Sequence, residues 1–322
     1  MKLSIIIVNY KAWAHIGKAL DALQPDFPED WEIIIVDNES EKDAFQAFER
    51  QYPWVTLIAN SENSGFCVGC IIGVAASTGE QLLFMNPDVV AEVSDIRRLI
   101  DVKAAHADVG LISPKQVGVD GVPQKVFDEF PSVLNQSKIL KHALRVIAPG
   151  RHPDPRADHS ELVYCDWVTG SFLLVDRTDY EAIGGWSRDY WMYVEDADLC
   201  RKAHDIGLRV AYTPDVQVFH AHGGSSRINV AVKSMTKLEV IISKHVYAQN
   251  HEHGIQRWLI HGQIALFRLP GLLLASLANL LTLGQIPTLQ VRARMLTDLT
   301  RYYFGVLSSG SWLSPRAKRN QS

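Results

Sequence analysis

Asp88 closes the segment Phe84-Met-Asn-Pro-Asp-Val, where an aliphatic run gives way to a turn. A carboxylate at such a strand end can hold Mg2+ or Mn2+ against a diphosphate, because these hard cations take oxygen ligands, commonly one or two carboxylates plus substrate phosphates. Asn-Pro-Asp by itself is only a turn signal. Glu195 and Asp196 stand in Tyr193-Val-Glu-Asp-Ala-Asp-Leu-Cys-Arg at the start of a helical pattern. A carboxylate there can take a proton from an incoming hydroxyl, a task worth about 10²–10⁴ in rate, and equally it can cap the helix with no chemistry at all. His220 ends Val216-Gln-Val-Phe-His, just before Gly223-Gly-Ser-Ser. Its imidazole can complete a metal shell or meet a phosphate, assisted by the N–H groups of the glycine turn. His222 competes for that role, and taken singly His220 reads as structural. His245, His251, His253 and His261 lack a carboxylate or cysteine at ligand spacing and read as surface or packing residues.

These residues need elements to bring them together. Leu3 to Asn9, Glu32 to Asp37, Val55 to Asn60 and Gln81 to Asn86 are short β-branched or aliphatic runs, each followed by a longer segment at helical spacing. That alternation predicts a parallel sheet wound with crossover helices. Ligands of such sheets lie beyond the carboxyl ends of the strands, so Asn9 and Tyr10, Asp37 and Asn38, Asn60, and Asn86 to Asp88 are expected in one crevice. Periodicity fades from Val117 to Tyr164, and the proline-rich, charged stretch from Pro149 to His159 reads as a mobile loop over the site. Order returns with Trp167 to Asp176, a Gly184-Gly185 turn, a helix from about Asp196 to Ile206 stopped by Gly207, and a strand pair ending near His220.

The chain of 322 residues has room for an α/β domain and a substantial appendage without staples. With 32 basic and 36 acidic residues and a formal charge of −4, it lacks the basic excess that holds a nucleic-acid backbone. Four cysteines show no disulfide framework, and the N-terminus carries no cleavable signal pattern, so the expected compartment is the reducing cytoplasm. Cys67 and Cys70 form a C-x-x-C inside a small-residue helical stretch with no second ligand pair, which favours packing over zinc or redox chemistry.

From Val230 the pattern is helical. Its most apolar stretch, Ile264 to Gly284, is interrupted by Arg268, Pro270 and Asn279, and the clean run is shorter than the roughly 20 residues a spanning helix needs. Arg257, Arg268, Arg292, Arg294 and Arg301, with the Arg316, Lys318 and Arg319 tail, suit helices lying in an anionic interface. A helical subdomain packed on a catalytic core accounts for the same pattern. The expected organisation is a catalytic domain over residues 1–229, in which residues 1–116 bind the nucleotide and residues 117–229 serve acceptor and catalysis. Residues 230–322 are expected to form a helical region in contact with the cytoplasmic membrane face.

Over roughly the first 230 residues the chain resembles glycosyltransferase family 2, and within it the rhamnosyltransferase-like enzymes of bacterial polysaccharide synthesis. The resemblance lies in Ser4-Ile-Ile-Ile-Val-Asn-Tyr, Val36-Asp-Asn-Glu-Ser, Asn63-Ser-Gly-Phe, Asn86-Pro-Asp, Thr169-Gly-Ser-Phe-Leu-Leu-Val, Gly184-Gly-Trp, Glu195-Asp-Ala-Asp-Leu and His220 with its Gly-Gly-Ser-Ser. One such motif is weak; the ordered set is specific.

The resemblance implies a GT-A fold, α/β with a mostly parallel central sheet plus a C-terminal helical extension, and an inverting, metal-dependent sugar transfer. It implies that Asn9, Tyr10 and Asp37 contact the nucleoside of a dTDP- or UDP-linked sugar, with Asn63 and Gly65 shaping the neighbouring wall. Asp88 and His220 would hold the divalent cation. Asp196 would be the general base, supported by Glu195 and Arg201, and Trp167, Thr169 and Gly170 would border sugar and acceptor. Rhamnose is the expected sugar, and a lipid-linked or polysaccharide molecule the expected acceptor. Two departures stand out: Gly69-Cys-Ile-Ile-Gly73 replaces a segment where the family commonly carries asparagines, and Asn86 replaces the first aspartate of the metal motif. A sugar nucleotidyltransferase would need a glycine-rich basic loop after the first strand, where this chain has Asn9-Tyr-Lys-Ala-Trp. A non-catalytic sugar-nucleotide-binding relative would have no need of Asp88, Asp196 and His220 together.

Overall fold

The computed structural model describes residues 2–135, 138–148, 151–221 and 229–317, and of residues 138–140 the backbone alone. His222, the Gly223-Gly-Ser-Ser turn, Pro149, Gly150, Lys318 and Arg319 lie outside the described residues.

Seven consecutive buried residues make β1 (Leu3–Asn9), and β2 (Trp31–Asn38) is nearly as covered, the unbroken aliphatic pattern of parallel strands with helices on both faces. Between them α1 (Trp13–Leu23) buries Ile16, Ala19, Leu20 and Leu23 at helical spacing. Next come α2 (Lys42–Gln51), β3 (Thr56–Asn60), α3 (Phe66–Ala76), β4 (Gln81–Met85), the two-residue β5 (Val89–Val90) and α4 (Val93–Ala104), the last started by a reciprocal capping box of Glu92 and Asp95. The glycines of α3 have a packing role: a Cβ on Gly69 would come within 2.7 Å of Val8 and one on Gly73 within 2.5 Å of Ile6, so the helix lies closer to the sheet than any side chain permits. Cys67 and Cys70 are fully buried in the same helix, and burial pushes both thiols well up.

The second half contributes β6 (Val109–Val117), β7 (Phe127–Asp128), α5 (Lys138–Ile147), β8 (Val163–Cys165), β9 (Trp167–Val168), β10 (Phe172–Asp176), α6 (Arg177–Ile183), α7 (Glu195–Asp205) and β11 (Arg209–His220). The nine-stranded sheet runs β3-β2-β1-β4-β10-β6-β11-β5, with β8 also on β11, and β7 pairs β9 separately. It is parallel over its first four strands and mixed beyond them. β10 lies antiparallel between β4 and β6, β11 is parallel to β6, and β5 is antiparallel to the end of β11, with His220 opposite Val89. Instead of a strand pair before His220 there is one strand, β11, whose register against β6 shifts between Thr213 and Gln217. Lys103 of α4, 6 % exposed, is bound 2.5 Å from Asp176 and so fixes the far end of β10.

The chain closes with α8 (Val230–His251), α9 (Gly254–Leu281) and α10 (Pro287–Ser309). Two compact units result. One comprises Met1–Phe130, Ala148–Ser187 and Glu195–Ser225; the other comprises Pro131–Ile147, Arg188–Val194 and Ser226–Ser322. The C-terminal helices thus fall in their own unit close to the expected boundary at 229, and α5 and the 188–194 segment group with them. One correction concerns α9, which continues for 28 residues through Arg268 and Pro270 and is long and apolar enough to cross a membrane. A proline inside a helix removes one backbone N–H donor yet need not end the helix.

Inside the helical unit, His245 and His261 meet Nδ1 to Nδ1 at 2.8 Å, which requires one to donate and the other to accept. Trp312 stacks on His261 with ring centroids 3.8 Å apart, and Tyr303 lies 3.0 Å from His245 Nε2. Burial is the main cause that lowers His245 to about 3 and His261 to about 4, with His261 adding to the first shift and Arg257 to the second. On acidification the unfolded chain takes up protons near pH 6.5 while this folded pair stays neutral, so stability present above that pH is lost as pH falls towards 4. The slope is about 1.4 kcal/mol per pH unit for each such proton. Thermal melts should therefore show the Tm dropping between pH 7 and pH 5, and His261→Phe, which keeps a ring under Trp312, should flatten the drop. A wild-type Tm constant across that interval would refute the neutral pair.

Candidate active site

The first wall is built from strand-end polar groups that hold one another. Asn9 and Asp37 are register partners in β1 and β2, and Asn9 Nδ2 donates to Asp37 Oδ1 at 2.6 Å. Asp37 Oδ2 accepts from the Ser40 backbone N–H at 3.0 Å, and Asn9 Oδ1 accepts from the Ala12 N–H at 2.9 Å, closing the turn into α1. Asp37 is only 3 % exposed, so its charge is organised from within the chain, with a further lone pair on each oxygen for a ligand. Tyr10 lies half-buried just past this pair, with the Lys11 ammonium 5.4 Å from its ring. Asn38 donates to the Gly65 carbonyl at 2.9 Å, Asn60 donates to Asn38 and Ser64, and the Gly65 N–H reaches Asn63 Oδ1 at 3.2 Å. Gly65 sits at φ 87°, a conformation suited to glycine, where the chain turns into α3.

The second corner joins Asp88 and His220. Antiparallel pairing of β5 with the end of β11, extended by the Ala221 N–H to the Asp88 carbonyl at 3.0 Å, sets His220 Nε2 3.3 Å from Asp88 Oδ1. Both side chains are nearly covered. On the other edge of the ring, Nδ1 lies 2.7 Å from Gln116 Oε1, which also accepts from Ser171 Oγ at 2.9 Å. A hard carboxylate oxygen facing one imidazole nitrogen fits a Mg2+ or Mn2+ that takes its remaining ligands from phosphate and water. Among the described residues no group of three or more His, Cys, Asp or Glu forms a closed metal cage.

The third component is Asp196 in the first turn of α7. Burial pushes its carboxyl up to about 6, against the opposing pull of the Ala197 and Gly170 backbone N–H groups, its own N–H and the Lys125 ammonium. The Ala197 bond is 2.8 Å. Gly170 belongs to the turn before β10, in which Thr169 donates to Ser171 Oγ at 3.2 Å and the Ser171 carbonyl accepts from the Asn86 N–H at 2.8 Å. One short turn thus touches Asp196, the Asn86-Pro-Asp88 strand end and, through Gln116, His220. The backbone enters α7 through Tyr193 at φ 72° and Val194 at φ 66°, costing about 1–3 kcal/mol each.

The remaining expected residues are less evenly placed. Trp167 donates from Nε1 to the Glu129 carbonyl at 2.9 Å and carries the Lys125 ammonium 5.6 Å from its ring. Glu195 is 8 % exposed and its charge is felt by Cys67 and Cys70, so it faces α3. Arg201 points along α7, with Nε 3.3 Å from Asp205 and its guanidinium 5.5 Å from the Phe130 ring. Gln116, Ser40 and Lys125 were not expected at the site. Ser40 ends the Val36-Asp-Asn-Glu-Ser motif and was open to notice. Gln116 lies where periodicity weakens, and Lys125, held by Asp128 as well as over Trp167, has no local signature.

Residues 4–153 match the family model for glycosyl transferase family 2. The chain is 25% identical over 287 residues to a protein of Mycobacterium tuberculosis named N-acetylglucosaminyl-diphospho-decaprenol L-rhamnosyltransferase, spanning 82% of this chain and 91% of that one. It is 26% identical over 234 residues to rhamnosyltransferase WbbL of Escherichia coli, spanning 67% and 82%. Among solved structures, a mannosyltransferase of Pyrobaculum calidifontis in complex with GDP-Man and Mn2+ aligns with a TM-score of 0.52 at 17% identity, over 98% of this chain and 77% of that one. The fold is GT-A, and the chain is similar to glycosyltransferase family 2 over residues 4–153, with rhamnosyltransferases among its relatives. It is a hexosyltransferase-type enzyme.

If Asp196 is the base, kcat/KM should fall about tenfold per unit as pH drops below about 6, because protonation removes the acceptor lone pair. Asp196→Asn should lower kcat by about 10²–10⁴ while sparing donor affinity. Since a raised folded pKa means the ionised carboxylate destabilises the fold at pH 7, the same variant should melt at a higher temperature than wild type. Normal turnover by Asp196→Asn would remove the assignment.

Proposed function

We propose that the protein is an inverting transferase that moves a hexose, with rhamnose as the leading case, from a dTDP- or UDP-linked donor to a lipid-linked or polysaccharide acceptor in bacterial cell-surface glycan synthesis. The observation that supports this most is the Thr169-Gly170-Ser171 turn, which binds the Asp196 carboxylate on one side and the Asp88 strand end on the other. The turn into α1 supports transfer over nucleotidyl transfer, because its Ala12 N–H is already taken by Asn9.

In this reading Asn9 and Asp37 seat the base of the nucleotide, and the Gly65 turn shapes the neighbouring wall. Asp88 and His220 hold the cation, which supplies charge neutralisation of the departing diphosphate. Asp196 accepts the proton of the acceptor hydroxyl as its oxygen attacks the anomeric carbon opposite the leaving group, so the anomeric configuration inverts. Groups aimed at charge that develops only in the transition state accelerate the reaction, while uniform binding does not. The Mycobacterium tuberculosis relative carries a lipid diphosphate acceptor in its name, and that is the acceptor class proposed here.

Such an acceptor sits in a membrane, and the surface of the helical unit supports attachment there. Leu266, Leu273, Leu274, Leu277, Leu280 and Leu281 of α9 are at least half exposed, and Leu283 in the α9–α10 connection is 84 % exposed. Each such side chain is worth about 1.5–3 kcal/mol when it leaves water, so α9 is assigned to lie in the cytoplasmic membrane interface.

Two measurements test the proposal. Screening dTDP- and UDP-sugars for donor-dependent transfer to a lipid diphosphate saccharide should give turnover with at least one donor. EDTA should stop that turnover and Mn2+ or Mg2+ restore it; undiminished rate in chelator would remove Asp88 and His220 as ligands. Leu273→Asp with Leu277→Asp should reduce flotation with anionic liposomes several-fold while transfer to a water-soluble acceptor is unchanged. Equal flotation of variant and wild type would detach the membrane claim from α9.

A further inference from the structure

We propose that Gln116 is a positioning residue that fixes which nitrogen of His220 faces the cation, and that it ties the cation corner to the turn holding Asp196. This rests on the reading that Asp88 and His220 bind a divalent cation. Gln116 lies near the end of β6, 2 % exposed, 104 residues before His220. An amide oxygen can only accept, so the 2.7 Å contact from His220 Nδ1 to Gln116 Oε1 places the ring proton on Nδ1. The lone pair of the neutral ring is then on Nε2, the nitrogen 3.3 Å from Asp88 Oδ1. With the tautomer reversed, Nε2 would carry a proton into the place a cation needs.

The amide oxygen is itself held in that orientation. It takes a second hydrogen bond from Ser171 Oγ at 2.9 Å, whose lone pairs accept from Thr169 Oγ1 at 3.2 Å. Donation therefore runs from Thr169 through Ser171 to Gln116, and from His220 to the same oxygen. Backbone geometry adds to this: the Gln124 N–H donates to the Gln116 carbonyl at 2.8 Å, and Gln124 Nε2 donates to the His220 carbonyl at 2.8 Å, so Gln124 ties the backbones of Gln116 and His220 together. Gln116 Nε2 is buried with no hydrogen-bond partner among the described residues. The partner on the far side of a metal-binding imidazole commonly governs affinity about 10–100-fold.

The test measures Mn2+ binding by electron paramagnetic resonance to the full chain saturated with UDP or dTDP, with melting temperature recorded for each variant. Gln116→Met keeps the volume and removes the acceptor, and should weaken Mn2+ about 10–100-fold with metal-free nucleotide affinity unchanged. Gln116→Glu keeps an acceptor at the same place and should bind Mn2+ at least as tightly as wild type. Wild-type affinity in Gln116→Met overturns the proposal, as does a loss in folded Gln116→Glu equal to that in Gln116→Met, which would mean packing alone matters. Selective ¹⁵N labelling of histidine, with His220→Gln for assignment, reads the tautomer directly in wild type; a protonated Nε2 also overturns it, even if a variant fails to fold. Absence of Mn2+ binding by wild type, with the Nδ1–H tautomer present, would fail the cation reading instead.

Discussion

The antiparallel entry of β10 between β4 and β6 is the constraint on which the site depends. A parallel sheet collects the carboxyl ends of its strands along one edge and leaves them to face solvent. Inserting one strand the other way brings the amino end of that strand, and the turn before it, to the same edge: Phe172 stands opposite Met85, and Ser171 follows on to Asn86. Thr169-Gly170-Ser171 thereby gains access to α7, to the Asp88 loop and to the end of β6 at once. Glycine at 170 suits this crowded place, since a Cβ there would meet the Trp186 ring at 3.0 Å.

A site assembled this way is largely made of buried polar groups, which are costly in an apolar core unless each finds a partner. Asn9 satisfies Asp37 and the α1 turn together; Asn60 satisfies Asn38 and Ser64; Gln116 Oε1 serves both Ser171 and His220. Such networks resist piecemeal change, because removing one member strands the others at low dielectric. Two consecutive left-handed residues, one of them β-branched, lead into α7 and add backbone strain at the same place. Stability given up around Asp196 is offset by the aliphatic sheet beneath, where Leu3, Ile5, Ile7, Leu83, Met85 and Leu174 are buried completely.

The sequence made the parallel half of this sheet readable because each of its strands is a short apolar run between turn signals, and the polar residue at each run's end pointed to the candidate site. Leu3–Asn9 is a case in which the expected and observed limits coincide. Local pattern held nothing about the reversed strand: Phe172–Asp176 reads as a strand in either direction, and only pairing gives it one. Gln116 was hidden for a related reason, since its partners lie 55 and 104 residues away and it sits in a strand with no polar alternation. Arg201 shows the converse. Its place in the motif suggests support for Asp196, and the helix adds a partner that the motif does not show, Asp205 at i+4.

The helical unit obeys a different logic. On α9 the inner side meets aromatic and imidazole rings: His261 stacks on Trp312, and Ile260, Ile264, Leu272 and Ala275 are buried along the same stripe. The opposite side carries Ile255, Leu259, Leu266, Leu273, Leu277 and Leu281, all exposed, with no charge among them. A helix of a protein surrounded only by water normally turns its polar residues outward, and here the outward side is as apolar as the inner one. The break that Pro270 makes in the sequence pattern had concealed this, because periodicity counts an interruption where the backbone merely forgoes one hydrogen bond. Once the helix is continuous, its arginines at 257 and 268 fall on the side of the buried stripe by the 100° rotation per residue, leaving the leucine side without a charged residue. A surface of that kind supports the proposed attachment to lipid, in which the enzyme would meet its acceptor in two dimensions and the helix would remove apolar area from water in the same act.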